Sequence, residues 1–200
     1  MLITFEGIDG SGKSTQISLL RDKLSALGHH VEVFREPGGT EVSELIRGML
    51  LNPELEIDPV TELLLFSAAR SQLVAEKVKP LHKKGVIVIL DRYYDSTVAY
   101  QGYGRESLAI QKIHQINAIA THNLTPDVTF YLRLSLEDAA ERIKHFDKDR
   151  MEQAGDSFYG RVLAGFEKLA GTESRIQVID AKQEPDAIQQ QILNILHPKL

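Results

Sequence analysis

The stretch Leu2-Ile3-Thr4-Phe5-Glu6-Gly7-Ile8-Asp9-Gly10-Ser11-Gly12-Lys13-Ser14-Thr15 decides how the chain is read. A short apolar run leads into a match to G-x-x-x-x-G-K-[ST], a motif that requires a strand before it and a helix after it. Both are expected here. From Lys13 onward, Ile17, Leu20 and Leu24 recur on one helical face, and Gly28 supplies the glycine that closes the helix. The residue types suit phosphate. Glycines let the backbone turn tightly and bring its N–H groups against phosphate oxygens, and a helix N-terminus adds positive partial charge. In such a loop Lys13 reaches the β- and γ-phosphates and Ser14 holds Mg²⁺. An ordinary glycine-rich turn is the alternative, and the strand–loop–helix context speaks against it.

Outward from this loop, strand-like runs alternate with amphipathic stretches, the pattern of an α/β fold with a mainly parallel sheet. Val31–Phe34 reads as the second strand, ending in the loop Arg35-Glu36-Pro37-Gly38-Gly39-Thr40. A helix through Val42, Leu45, Ile46 and Leu50 follows, then a long one from about Val60 to His82. Val86–Leu90 is apolar without alternation, which suits a strand buried on both faces, and Asp91-Arg92 stands at its end. A helix near Ser96–Gln101, a loop at Gly102/Gly104 and a helix from about Ser107 to His122 come next. Val128–Leu132 and Ile176–Ile179 complete five strands, with helices begun by Ser135, Ser157 and Asp186. Ligands of such sheets bind beyond the strands' C-terminal ends, so residues 7–15, 35–40, 91–92 and 180 should surround one crevice.

Composition bounds the function. The 200 residues suggest one domain, and 42% hydrophobic with 26% charged residues is ordinary for a globular protein. A net charge of −5 disfavours a general nucleic-acid or membrane-surface binder while allowing a local basic pocket. With no cysteine, disulfides, thiolate catalysis and cysteine-ligated metals are excluded. A strand starting at Leu2 leaves no room for a signal peptide, and no apolar run has the length of a membrane span. A cytoplasmic enzyme is expected.

Arg35-Glu36-Pro37-Gly38-Gly39-Thr40, the Phe66-x-x-x-Arg70 spacing, and Asp91-Arg92-Tyr93-x-x-Ser96 through Ala99-Tyr100-Gln101 resemble the thymidylate (dTMP) kinase family, in order and spacing over nearly the whole chain. The resemblance implies a three-layer α/β/α fold of the P-loop NTPase type, in one domain over residues 1–200, with a short mobile lid at about 142–156. It implies phosphorylation of dTMP to dTDP by ATP with Mg²⁺, and a homodimer joined through the long helices. ATP would lie on Gly7, Ile8, Asp9, Gly10, Ser11, Gly12, Lys13, Ser14 and Thr15, with Arg142 at the adenine and Lys182 in the Asp180–Gln183 loop beside it. Ser14 and Asp91 would hold the metal. The acceptor site would comprise Asp9 at the 3′-hydroxyl, Arg35 on the dTMP phosphate, Pro37, Phe66 stacked on thymine, Arg70, Arg92, Ser96, Thr97, Tyr100 and Gln101.

The residues alone leave alternatives. On the sequence alone Phe66 reads slightly more readily as core than as a stacking ring, and Asp91 reads also as a helix cap, Arg35 as a surface arginine and Tyr100 as packing for its helix. Lys13, Asp91, Arg92 and Arg150 form the expected catalytic set. The family supplies a basic group either from the phosphate loop or from the lid; Ile8, Asp9, Gly10 and Ser11 offer none, so the lid layout is expected, with Arg150 favoured as the finger. Composition alone would make the segment holding Arg142, Lys144, Lys148 and Arg150 a solvated charged stretch, since Asp147 and Asp149 are interleaved. Rivals are another nucleotide kinase, a GTP-binding switch, whose N-K-x-D string does not occur, and an ATP-dependent partitioning protein lacking a monophosphate acceptor.

Overall fold

A computed structural model describes residues 1–145 and 150–200 of the chain. Its sheet comprises β1 (Leu2–Glu6), β2 (Val31–Arg35), β3 (Ile87–Asp91), β4 (Val128–Arg133) and β5 (Ile176–Asp180), in the order β2-β3-β1-β4-β5. Every strand pair is parallel, so each crossover must carry a helix. The helices are α1 (Lys13–Ala26), α2 (Glu41–Leu51), α3 (Pro59–Leu73), α4 (Lys79–Lys83), α5 (Tyr94–Thr97), α6 (Ile110–Ala120), α7 (Leu136–Ile143), α8 (Asp156–Thr172) and α9 (Pro185–Leu196).

The central strands are buried on both faces, as their unbroken apolar runs require. Ile3, Phe5, Ile87 and Ile89 enter one core cluster, while Leu2, Val88 and Leu90 enter a second with Leu73, Val74 and Val78. That split follows the two-residue period of a strand. Strand register carries polar residues to a common edge: Arg35 lies opposite Asp91, and Phe5 opposite Asp91 on the other side. β2, β3, β4 and β5 each run one residue beyond their apolar segment, so Arg35, Asp91, Arg133 and Asp180 belong to the ladder.

Three local features differ from the sequence reading. The long helix after Pro59 is not uniformly α-helical. It passes through a π-turn at Val74–Val78, where the Lys79 N–H donates to the Val74 carbonyl, before continuing as α4. Pro80 lies just beyond and lacks an N–H for the α ladder, so a locally widened turn accommodates it. The expected loop at Gly102 and Gly104 is instead a π-helical continuation of α5 through Val98–Gly104. These glycines serve close packing: a Cβ on Gly104 would lie 2.6 Å from the Phe158 ring of α8. The following helix begins at Ile110 rather than near Ser107, whose hydroxyl donates to the Gln101 carbonyl.

Candidate active site

The phosphate loop joins β1 to α1. Gly7 has φ 139°, and a Cβ there would lie 2.7 Å from the Leu132 carbonyl, so the loop can leave the sheet beside β4 only with glycine. α1 starts behind Gly12 without any side-chain cap, and its first turn carries no acid. Its first N–H groups therefore lack the side-chain partner that helix starts usually acquire, which leaves them suited to an anion. Lys13 folds back over the loop, its Nζ donating to the Gly7 and Ile8 carbonyls, both at 3.1 Å. Burial holds its ammonium below the ordinary lysine range, and the nearby Arg92 adds to that effect. Ser14 Oγ lies 3.5 Å from Asp91 Oδ2.

A cleft of about 1600 Å³ opens over this loop. Residues 9–15, Asp91, Arg92, Arg142 and the 181–185 loop line it. Arg142 ties its two sides together, donating to the Gly10 carbonyl at 3.1 Å and the Ala181 carbonyl at 2.8 Å. It belongs to α7, whose start is capped by Ser135 accepting the Asp138 N–H. Lys182 lines the same cleft and pairs with Asp138 at 2.8 Å.

A second cleft, of about 610 Å³, adjoins the first. Phe66 and Arg70 reach it from α3; Ser96, Thr97, Tyr100 and Gln101 from the α5 region; Pro37 from the loop after β2. Asp9, Glu36, Arg47 and Arg92 line both clefts and form the junction between them. Phe66 is half-buried, packing on the core while lining the cleft. Arg70 is buried and held in place: its Nε donates to Glu36 at 2.6 Å, and one terminal nitrogen donates to Thr97 at 2.7 Å. Burial pushes the Glu36 carboxyl up to about 7 against the pull of Arg70. Its other oxygen has no hydrogen-bond partner among the described residues.

Arg92 follows β3 with φ 70°, an uncommon conformation for a residue with a side chain that costs about 1–3 kcal/mol. Its guanidinium donates to the Gly7 carbonyl at 2.8 Å, to Ser96 at 3.2 Å and to Asp9 at 2.7 Å, and lies 5.0 Å from the centre of the Tyr100 ring. Burial alone would raise the Asp9 carboxyl; Arg92 and Lys13 outweigh it and hold the group below the ordinary aspartate range. Tyr100 also packs edge-on against Phe158, Tyr159 and Phe166, so it both lines the cleft and serves the core.

Two expected residues stand elsewhere. Arg35 lines the phosphate-loop cleft rather than the second one, because Glu44 in the first turn of α2 holds it at 2.9 Å; Arg47 takes the position at the junction. Arg150 lines neither cleft. It donates to the Leu50 carbonyl at 2.7 Å and pairs with buried Glu62 at 2.7 Å, which anchors it beside α3. Lys148, with Asp147 and Asp149, lies outside the described residues.

Four charged residues of this region escaped sequence reading. Arg47 is one, donating to the Pro37 carbonyl at 2.9 Å. Glu62 accepts from Gln101 at 3.0 Å and Arg105 at 3.2 Å besides pairing with Arg150. Glu36 stood inside the quoted loop motif without a role. Glu6, buried at the end of β1, accepts the Tyr93 N–H and the Ser96 hydroxyl. A signal existed for Glu62, which precedes Phe66 by one turn and Arg70 by two and so shares their helix face.

Comparison with known proteins identifies the family. The thymidylate kinase family profile matches residues 5–192. A thymidylate kinase from Prosthecochloris aestuarii is 49% identical over 203 residues, covering 96% of this chain and 91% of that protein. One from Chlorobium phaeobacteroides is 48% identical over 210 residues, covering 100% and 95%. The crystal structure of thymidylate kinase from Ehrlichia chaffeensis superposes with a TM-score of 0.81 at 35% identity, covering 98% of each chain. With the P-loop architecture, the paired clefts and this full-length similarity in agreement, the chain belongs to the thymidylate kinase family.

Proposed function

We propose that this chain transfers the γ-phosphoryl group of ATP to the 5′-phosphate of dTMP, giving dTDP and ADP. The observation that carries the reading is the junction of two clefts, one on a phosphate loop and one beneath an aromatic ring and a buried arginine, sharing Asp9, Glu36, Arg47 and Arg92. A phosphoryl group crossing between two nucleotides needs such a shared wall, with cations to balance charge that spreads over the equatorial oxygens.

In this reading ATP occupies the larger cleft, its phosphates against the uncapped start of α1 and Lys13, with Arg142 and Lys182 towards the base. dTMP occupies the smaller cleft, with Phe66 against thymine, Arg70 fixed for hydrogen bonding, and Ser96, Thr97, Tyr100, Gln101 and Pro37 around base and sugar. Asp9 takes the sugar hydroxyl. Arg92 spans both clefts and steadies the transferring group, joined there by Arg47, while Arg35 serves the donor side. The oxygen donors Ser14 and Asp91 stand within 3.5 Å of each other and suit a hard divalent cation, so they would hold Mg²⁺. The ion, when bound, neutralises charge on the donor phosphates. Arg150, held by Glu62, acts from the acceptor side as an anchor for the segment before α8. The whole chain works as one unit, with its lid at about 142–156.

We also propose a cytoplasmic homodimer. α2 and α3 pack together and leave Leu45 and Leu64 more than half exposed, apolar surface that a second copy would cover. A sedimentation mass equal to one chain would rule the dimer out. The function is tested by a coupled assay of ADP release with ATP and each nucleoside monophosphate in turn. Turnover with dTMP well above the others is expected. Equal turnover without any monophosphate would replace the reading with a plain ATPase.

A further inference from the structure

Glu6 lines neither cleft, yet both of its side-chain hydrogen bonds go to the turn that carries Arg92. It is buried, and both of its oxygens are engaged. Oε1 accepts the Tyr93 N–H at 2.8 Å, and Oε2 accepts the Ser96 hydroxyl at 2.6 Å. The Ser96 oxygen in turn accepts from Arg92 at 3.2 Å, and the same Arg92 nitrogen donates to the carbonyl of Gly7, the residue after Glu6. The contacts close a ring from the end of β1, through the turn after β3, to the guanidinium and back.

The backbone is held in the same way. The Arg92 N–H donates to the Phe5 carbonyl at 2.9 Å and the Tyr93 N–H to Glu6. The two amides flanking the Arg92 α-carbon are thus tied to consecutive residues of β1. That double tie holds Arg92 at φ 70°, a conformation that persists only where its surroundings over-determine it. With one tie lost, the turn relaxes towards negative φ, and the guanidinium leaves Asp9 and the junction.

We infer that Glu6 is a positioning residue for phosphoryl transfer, acting through Arg92 without touching either nucleotide. The inference rests on the kinase reading above. A wild-type chain without dTMP-dependent turnover overturns that reading, whereas the comparison below, made on an active wild type, tests Glu6 alone.

The test is Glu6→Met, which keeps the volume and removes both acceptors, alongside Glu6→Gln, which keeps an oxygen for the Tyr93 N–H and a polar group for Ser96. Glu6→Met should lower kcat about tenfold or more while the dissociation constants of ATP and dTMP stay within about threefold; Glu6→Gln should recover most of the loss. In an Arg92→Ala background, Glu6→Met should add nothing, since the group it positions is gone. A wild-type kcat in Glu6→Met, or an equal further loss on top of Arg92→Ala, overturns the inference. Should Glu6→Met fail to fold, Glu6→Asp withdraws the carboxylate by one methylene and carries the same expectation: a kcat near wild type there sinks the proposal.

Discussion

Among single residues, Lys13 bears most directly on the chemistry. It is desolvated and already turned over the phosphate loop, so it can meet charge as it develops without reorganising water. Lys13→Ala should lower kcat at least about a hundredfold, roughly 3 kcal/mol of transition-state stabilisation. Near-normal turnover in a folded variant would refute the assignment of ATP to this loop. Glu6 carries a pH signature. Burial, with Asp95 nearby, raises its carboxyl from 4.5 to about 8. Between those values the folded chain holds a proton that the unfolded chain has released, so the contribution of Glu6 to stability falls as pH rises through that window. Glu6→Gln lacks this term. Its melting temperature should therefore gain on wild type between about pH 5 and pH 8, whatever the offset at the acid end. A gap that does not change with pH would mean that Glu6 stays ionised throughout. Lys13 and Ser14 were legible because a motif fixes their spacing, and Asp91 because it ends an unbroken apolar run. The acids Glu6 and Glu36 were not, because a lone carboxylate at a strand end or in a loop reads as solvated, and only the assembled fold shows it buried.

At the scale of elements, α3 presents Glu62, Phe66 and Arg70 along one face and thereby builds one wall of the smaller cleft. Glu62 is completely buried and holds Gln101, Arg105 and Arg150 together. Removing it leaves two arginines facing an uncharged interior. Glu62→Ala should cost about 3–5 kcal/mol of stability, read by urea unfolding. A loss below about 1 kcal/mol would mean that water reaches those arginines freely. The same carboxylate explains why Arg150 stands away from the phosphate loop. Sequence reading saw a charged stretch and no partner for it, since the partner lies far away in the chain. Strand and helix identities were legible from short apolar runs and from apolar residues recurring at helical spacing. The π-helical run through Gly102 and Gly104 was not, because glycine signals both a turn and a tight contact, and here the tight contact is with Phe158.

Across the whole molecule, the parallel sheet brings the ends of all its strands to one rim, and this rim was foreseeable from the alternation of strands and helices alone. The division of the rim into two clefts was not, since it depends on how Arg92 and Asp9 meet between them. The uncapped start of α1 also sets how robust the protein is. A helix that begins without a side-chain partner leaves part of its stabilisation to whatever anion arrives, so the nucleotide acts as a removable piece of the fold. A ligand that binds only the folded state, at a hundredfold excess over its dissociation constant, adds about 2.7 kcal/mol. For a chain of this length that corresponds to a rise of about 5–10 °C in Tm. ATP should produce this rise and adenosine should not, because the phosphates complete the helix. An equal shift from adenosine would mean that the base, not the phosphate chain, secures the fold. If ATP alone protects, the thermal tolerance of this enzyme depends on nucleotide supply, and a starved protein unfolds at a lower temperature than a working one.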